Sequence, residues 1–438
     1  MRRIIGSVLV AISLVIMSVA AGCKVNETGK ASSAGSASGA GSMSGAVSTG
    51  IILRVGDIDV TSDPGTWSGE GNTGDKGKWS YSPASGETPD TLTLNGFNYE
   101  GKGSSGPESG GIIYDGTKPL VIKLEGKSSI KCTGESLEKG YGLWAVDTGE
   151  ITICGDGDLR LEGCGSKESA GIYADKCRLN IKDTTVEAGG GAGEKSYGIL
   201  SDIAYITGSN VTATAGDFKS EGYGIGGRRL SVTEKSSLTA TGGSSDSGAP
   251  SPRSSGIHIS LATDMTETEY GDTFVIADST IKAVGGDIRA ERGGSYGISC
   301  YNCSKDERKS NAAMIVESGR IEAMGGKASG GDVVSHGIYA SSVQRKDKSI
   351  ISRGDGMVIG RGLTGLLVSG YTSAYAEMAD DSVGVGPTAR VTTSGEGLTL
   401  KATGYPDAEG TKGGTSFTVT NNPEDLTAYK KVEVRQQI

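Results

Sequence analysis

AGIYADKCRLNIKDTTVEAGGG, residues 170–191, carries a whole structural unit in one line. Three short alternations of apolar and polar residues run along it: Gly171-Ile172-Tyr173-Ala174, Leu179-Asn180-Ile181 and Val186-Glu187-Ala188, closing on Gly189-Gly190-Gly191. Period-two alternation punctuated by Asp and Gly marks half-buried strands.

The unit recurs. A Gly followed by Ile or Leu appears at Gly142-Leu143, Gly171-Ile172, Gly198-Ile199, Gly224-Ile225, Gly256-Ile257, Gly297-Ile298, Gly337-Ile338 and Gly365-Leu366, with an earlier copy at Gly110-Gly111-Ile112. From Gly142 onward the spacings are 29, 27, 26, 32, 41, 40 and 28 residues. Each period holds a second strand (Ile151-Thr152-Ile153, Leu230-Ser231-Val232, Phe274-Val275-Ile276) and a third that ends in a small residue (Val211-Thr212-Ala213, Leu238-Thr239-Ala240, Ile281-Lys282-Ala283). A single such unit cannot bury its apolar face, whereas stacked units share one core. The expected fold is all-β: a single-stranded right-handed parallel β-helix of about eight to nine three-strand coils, with capping strands at both ends. At the usual strand spacing this makes a rod of roughly 40 Å. The anchor glycines are expected at corners where a Cβ would clash. The two longest periods imply insertions, Ala262–Gly271 with Asp287–Gly294 and Tyr301–Asn311 with Lys327–Ser335.

Around this body the chain divides into residues 1–22, 23–50, 51–110, 111–382 and 383–438. Arg2 and Arg3 precede an apolar or small-residue run to Val19 and then Ala20-Ala21-Gly22-Cys23, the layout of a secretory signal. Its end resembles the bacterial lipobox, although that pattern prefers Leu where Ala20 stands. The resemblance implies a signal over 1–22, a diacylated Cys23, and a membrane partner reached through that lipid. Residues 23–50, rich in Gly, Ser and Ala, then form a flexible tether. The expected address is extracytoplasmic, lipid-anchored to the bacterial membrane and surface-exposed. Residues 51–110, with Trp79-Ser80-Tyr81 and Thr91-Leu92-Thr93-Leu94, should cap one end of the coils; 383–438, with Phe417-Thr418-Val419 and Val432-Glu433-Val434, should cap the other.

Losing Arg2 and Arg3 takes the 43 basic residues to 41 against 52 acidic ones, a net charge of −11. That balance excludes the basic footprint that nucleic acid or anionic lipid requires. It is compatible with cations and with neutral polysaccharides. A monomer is expected.

The lead-in Trp79-Ser80-Tyr81-Ser82-Pro83, then Thr91-Leu92-Thr93-Leu94-Asn95-Gly96, followed by Gly-Ile-Tyr-Ala coils at 171–174 and 337–340, resembles a group of surface proteins of anaerobic gut Firmicutes. These are labelled carbohydrate-binding-domain-containing proteins. The resemblance spans residues 51–375 and implies a β-helix that binds carbohydrate.

The residue two places after each anchor glycine should point outward: Trp144, Tyr173, Leu200, Gly226, His258, Ser299, Tyr339 and Leu367. Trp144 and Tyr173, on adjacent coils, are candidate carbohydrate-binding residues, because aromatic faces suit the apolar faces of sugar rings. Their bland alternative is packing against each other or under a loop. Tyr141, Tyr197, Tyr223, Tyr296 and His336, each just before an anchor, should stack as a structural column. Asp115, Asp147, Asp175 and Asp202 follow the same strand in four coils and make a candidate calcium site, the alternative being solvated turn aspartates.

Beyond Cys23 there are six cysteines: Cys132, Cys154, Cys164, Cys177, Cys300 and Cys303, with no regular disulfide framework. Cys300-Tyr301-Asn302-Cys303 has no second pair with which to hold zinc. Cys132 is expected where other repeats carry Leu161 or Ala188, as a small buried residue. Gly293-Gly294-Ser295-Tyr296-Gly297 fits the nucleophile-elbow pattern but lies at the repeat turn, without a strand-to-helix context. The outward positions carry no Asp, Glu, Lys or Arg. No catalytic residue is expected; an adhesin or envelope spacer is the main alternative to glycan binding, and a polysaccharide lyase or hydrolase the weaker one.

Overall fold

The Gly-Ile alternations form parallel strands. The computed structural model describes residues 52–436, apart from 62–67, 87, 104–105, 135–136, 147–148, 247–248, 262–273, 303–313, 317–318, 343–357, 361–362, 370–372, 380–390, 394–399, 408–410, 420–428 and 430. Cys23 and all of residues 1–51, Asp147, the 262–271 insertion and Cys303 therefore lie outside the described residues. The described chain is all-β, with no helix, and is built chiefly from parallel pairings.

Three ladders run through it. The first joins the strands that carry the anchors, from Glu108–Asp115 through Lys139–Val146 and Phe218–Gly227 to Ala328–Ser342. The second joins Asp90–Asn95, Leu120–Glu125, Glu150–Gly155 and their successors as far as Val391–Thr393. The third joins Asn98–Gly101, Lys127–Cys132, Asp158–Glu162, Thr185–Gly189 and on to Leu363–Ser369. Parallel pairing thus extends from Asp90 to Thr393, beyond 111–382 in both directions. Antiparallel strands flank it: Ile52–Val55 on Ile112–Asp115, and Lys431–Gln436 on Leu363–Ser369.

Register converts the sequence repeat into columns. Ile112, Leu143, Ile172, Ile199, Ile225, Ile257, Ile298 and Ile338 fall in line and are at most 1 % exposed. Ile122, Ile153, Ile181, Ile206 and Val232 line up in the second ladder, and Leu161, Ala188, Ala213 and Ala240 in the third. All belong to one apolar cluster. Each buried aliphatic side chain contributes about 1.5–3 kcal/mol, so the core grows with every repeat added. Asp90 ends the Leu120-Ile151-Leu179 column, fully buried, and accepts hydrogen bonds from the Tyr81 and Tyr114 hydroxyls at 2.8 and 2.9 Å and from the Ala84 N–H at 2.8 Å.

The anchor glycines are required by close approach, since none of Gly171, Gly198, Gly224, Gly256 or Gly297 has positive φ. A Cβ at Gly198 would lie 2.5 Å from the Thr214 nitrogen and 2.6 Å from the Gly224 oxygen; at Gly224 the same contacts, to Thr241 and Gly256, are 2.5 and 2.6 Å. From Ala188 onward the third strand carries alanine beside the anchor, where the first strand's backbone rests on it.

A second column escaped the sequence analysis. The residue two before each anchor is Ser109, Ser169, Ser196, Ser254, Ser295 or Ser335, all fully buried, with glycine at 140 and 222. Ser254 Oγ accepts from the Gly286 N–H and donates to the Gly243 carbonyl, both at 2.8 Å; Ser295 accepts from Gly326 at 2.8 Å and donates to Gly286 at 2.7 Å. These two hydroxyls each bridge the glycine turns of two successive repeats.

Several expectations are corrected. Thr364-Gly365-Leu366 is not an eighth anchor: Leu366 pairs with Ile321 in the third ladder, so Leu367 faces Glu322 and leaves the outward row. The first ladder continues through Ser373–Ala379, with Tyr375 opposite Ile338 and Ala376 opposite Tyr339. Asp287–Gly294 and Lys327–Ser335 are largely paired strand, Ile288 to Ala328 through Ser295 to Ser335, because two consecutive repeats carry the same extension and each supplies the other's hydrogen-bond partners. Ile130, not Cys132, aligns with Leu161 and Ala188; Cys132 lies two residues on, and is buried.

Gly198→Ala should lower stability by about 2–3 kcal/mol through overpacking. Gly149→Ala, where an added Cβ meets nothing within 4 Å, should stay within about 0.5 kcal/mol; urea midpoints of the two variants measure the difference. Ser295→Ala strands a buried N–H and a carbonyl and should cost about 1–3 kcal/mol in the same assay.

Candidate functional site

On the first ladder, the position before the anchor runs Gly110, Tyr141, Ala170, Tyr197, Tyr223, Ser255, Tyr296 and His336. Tyr141, Tyr197 and Tyr223 are buried and form, with Ala170, an apolar cluster separate from the main core. Ring centroids are 5.8 Å apart for Tyr197–Tyr223 and 6.0 Å for Tyr296–His336. The stacked column anticipated from the sequence is present, interrupted at Ala170 and Ser255.

Its hydroxyls meet carboxylates. Tyr141 donates to Glu168 at 2.6 Å and Tyr197 to Glu221 at 3.0 Å. Burial foremost, then the nearby Glu168 and Glu221 respectively, pushes both phenols well above their ordinary range, so they stay protonated donors.

Three residues before each anchor, charge alternates across the strands: Glu108, Lys139, Glu168, Lys195, Glu221 and Arg253 are successive register partners. Lys139 meets Glu108 at 2.8 Å and Lys195 meets Glu221 at 3.3 Å. Opposite charges on adjacent strands each add a few tenths of a kcal/mol. The sequence held this signal at a constant offset from the glycines.

Two places after the anchor the row is Ile113, Trp144, Tyr173, Leu200, Gly226, His258, Ser299, Tyr339 and Ala376. Trp144 and Tyr173 are direct register partners on neighbouring strands, and both are partly exposed. Both also lean on Tyr141, with centroids at 5.3 and 4.6 Å. The row is less open than its outward assignment implied: Ser299 is fully buried, and Tyr339 is buried against Tyr296 at 4.9 Å. Bulky rings on the flanking column lean over it and shut out solvent.

His258 stacks on Tyr223 at 4.2 Å, and its Nδ1 lies 2.9 Å from Ser299 Oγ, itself 2.8 Å from Ser255 Oγ. Loss of hydration pushes the imidazole down to about 4; Glu221 opposes that shift and Arg253 adds to it. His336 belongs to the flanking column, with the strand Ile288–Asn302 between its own strand and that of His258.

Among the described residues, Asp115, Asp175 and Asp202 are not gathered into a metal-binding group. Asp175 is exposed, Asp115 pairs across from Val146, and Asp147 lies outside the described residues. Both carboxylate oxygens of Asp202 are taken by the Arg228 guanidinium, Nε to Oδ1 and Nη2 to Oδ2. Among the described residues no group of three or more His, Cys, Asp or Glu could hold a metal ion. An arginine one repeat away neutralises the carboxylate that a cation would have needed. Asp202 instead lines a shallow depression with Glu150, Lys176 and Arg178, where Arg178 and Glu150 lie 3.7 Å apart.

Fold and site together define an all-β protein with parallel sheets, one of which carries an interrupted aromatic column beside a row of alternating charge. The chain matches no family model, no curated protein and no solved structure.

The His258 ring titrates lower in the folded chain than in the unfolded one, so the stability it confers is full above about pH 6.5 and is lost as pH falls toward about 4. Replacing it with Gln should flatten the stability-versus-pH curve across that window, by on the order of 2 kcal/mol. Chemical denaturation at fixed pH steps compares the two proteins.

Proposed function

We propose that the three ladders are the three faces of a single-stranded right-handed parallel β-helix, and that this chain is a non-catalytic surface lipoprotein which binds polysaccharide. In this reading Cys23 carries the lipid that holds the protein to the membrane, and residues 24–50 tether the folded body at the surface. The Gly-Ile repeat and the parallel pairing of successive repeats support the β-helix.

The observation that carries the binding role is the placement of Trp144 and Tyr173. They are register partners on adjacent strands, partly exposed, and backed by Tyr141, which holds both rings in place. Two partly exposed aromatic residues on strands about 4.8 Å apart, both packed on Tyr141, offer the C–H faces of sugars a pre-ordered surface that lowers the entropy cost of docking. The mature net charge of −11 favours a neutral glycan over an acidic one. The row from Ile113 to Ala376 holds no Asp, Glu, Lys or Arg, and this supports a binding rather than a hydrolytic role.

An envelope spacer is the second reading, favoured by the packing of the same two rings on Tyr141. A glycan array probed with the secreted chain separates the two. Binding to neutral polysaccharide, lost by at least tenfold in the Trp144→Ala/Tyr173→Ala double variant with its circular dichroism intact, is the expected result. Silence across the array at high protein concentration would establish the spacer instead, and sugar release from a polymer would overturn the non-catalytic assignment.

A further inference from the structure

Cys132 and Cys164 are 32 residues apart in the chain, about one repeat, and their sulfurs lie 3.3 Å apart. Cys132 ends the third-ladder strand Lys127–Cys132 and is 2 % exposed, whereas Cys164 follows the next strand of that ladder, Asp158–Glu162, and is partly exposed. Register places Glu162 opposite both Lys131 and Gly189. One step on, Gly163 and Cys164 therefore fall in line with the Gly190-Gly191 turn, and Cys132 with Gly163.

That turn is where the buried serine hydroxyls join successive repeats elsewhere. The serine position of the Gly142 repeat is Gly140, and no side chain fits there: an added Cβ would lie 1.8 Å from the Cys164 carbonyl oxygen and 3.0 Å from its sulfur. The two thiols thus meet at a turn whose own repeat supplies no serine.

We propose that Cys132 and Cys164 are a modification site: a cross-link between two successive repeats, closed by thiol–disulfide exchange with a small disulfide such as oxidised glutathione. A disulfide needs sulfurs at about 2.05 Å on Cα atoms roughly 4.4–6.8 Å apart, which neighbouring strands supply. Cys164 reacts first. It is the more accessible, and the hydrogen bond between the two sulfurs holds its thiol below the ordinary range. That same hydrogen bond, followed by burial, holds the proton on Cys132.

The Cys164 thiolate attacks one sulfur of the external disulfide, and one thiolate leaves. Cys132 then gives up its proton to that departing thiolate and attacks the Cys164 sulfur, expelling the second. Two protein thiols lose two protons and two electrons in all, and the external disulfide becomes two thiols. The bond would tie together the repeats of Gly111 and Gly142, immediately beside the Trp144 strand.

The test uses the mature chain, reduced, desalted and incubated with oxidised glutathione. Peptide mapping without reductant should join the Cys132 and Cys164 peptides with a loss of about 2 Da. The melting temperature should rise and fall back with dithiothreitol. Cys132→Ser should stop at a single glutathione adduct on Cys164, and Cys164→Ser should leave Cys132 unmodified, both with unchanged circular dichroism. A wild-type chain that stops at the adduct, keeps both thiols open to iodoacetamide, or links either cysteine to a different one overturns the proposal.

Discussion

Everything in this molecule hangs on how closely the backbone of each anchor glycine approaches the end of the third strand of its repeat. At about 2.4–2.5 Å from the space a Cβ would occupy, the neighbouring amide nitrogen admits no side chain at Gly171, Gly198, Gly224, Gly256 or Gly297. That contact sets the bend of the first strand, and the bend sends Ile172 and its counterparts into the core while Tyr197 and its counterparts go to the opposite side. The alanine column of the third ladder and the isoleucine column of the first answer the same constraint. From Ala188 onward the column is alanine, whereas Ile130 and Leu161 fill the same place in the two repeats before it. The serine column then satisfies the polar groups that such tight glycine turns expose to a dry interior.

The tyrosine column gives the outer side its own packing. Its rings bury themselves against Trp144, Tyr173 and Leu200, and its hydroxyls reach Glu168 and Glu221, the latter also paired with Lys195. One row of side chains thus links Trp144 and Tyr173 to the charged edge. Both rings pack on Tyr141 while staying partly exposed. The same column accounts for the low exposure farther along the row, where Tyr296 and His336 close over Tyr339.

Much of this was legible in the sequence, because a fixed glycine followed by Ile sets a period that strand alternation then fills. The all-β class, the three alternations per repeat and the aromatic column follow from that. The Gly365 assignment failed because Gly-Leu within an alternating run suits a third strand as well as a first. Only the pairing of Leu366 with Ile321 distinguishes them. The aspartate row was legible as positions but not as chemistry: Arg228 reaches Asp202 across 26 residues, and no local pattern announces that pairing. The serines sat at a constant offset from the anchors, but serine is common in turns and drew no notice. Cys132 and Cys164 were separated by nearly one period, a clue that becomes meaningful only once register places one turn beside the next.

The alternating row Glu108, Lys139, Glu168, Lys195, Glu221, Arg253 has a consequence for how a chain of near-identical units finds its order. Any repeat's first strand could in principle pair with any other's, since the isoleucines and glycines are interchangeable. Charge of alternating sign is not. Omitting one repeat would set Glu108 beside Glu168, or Lys139 beside Lys195, and like charges directly opposite each other are destabilising. The row therefore acts as a parity check, letting each unit accept its immediate neighbour and turn away the next one along.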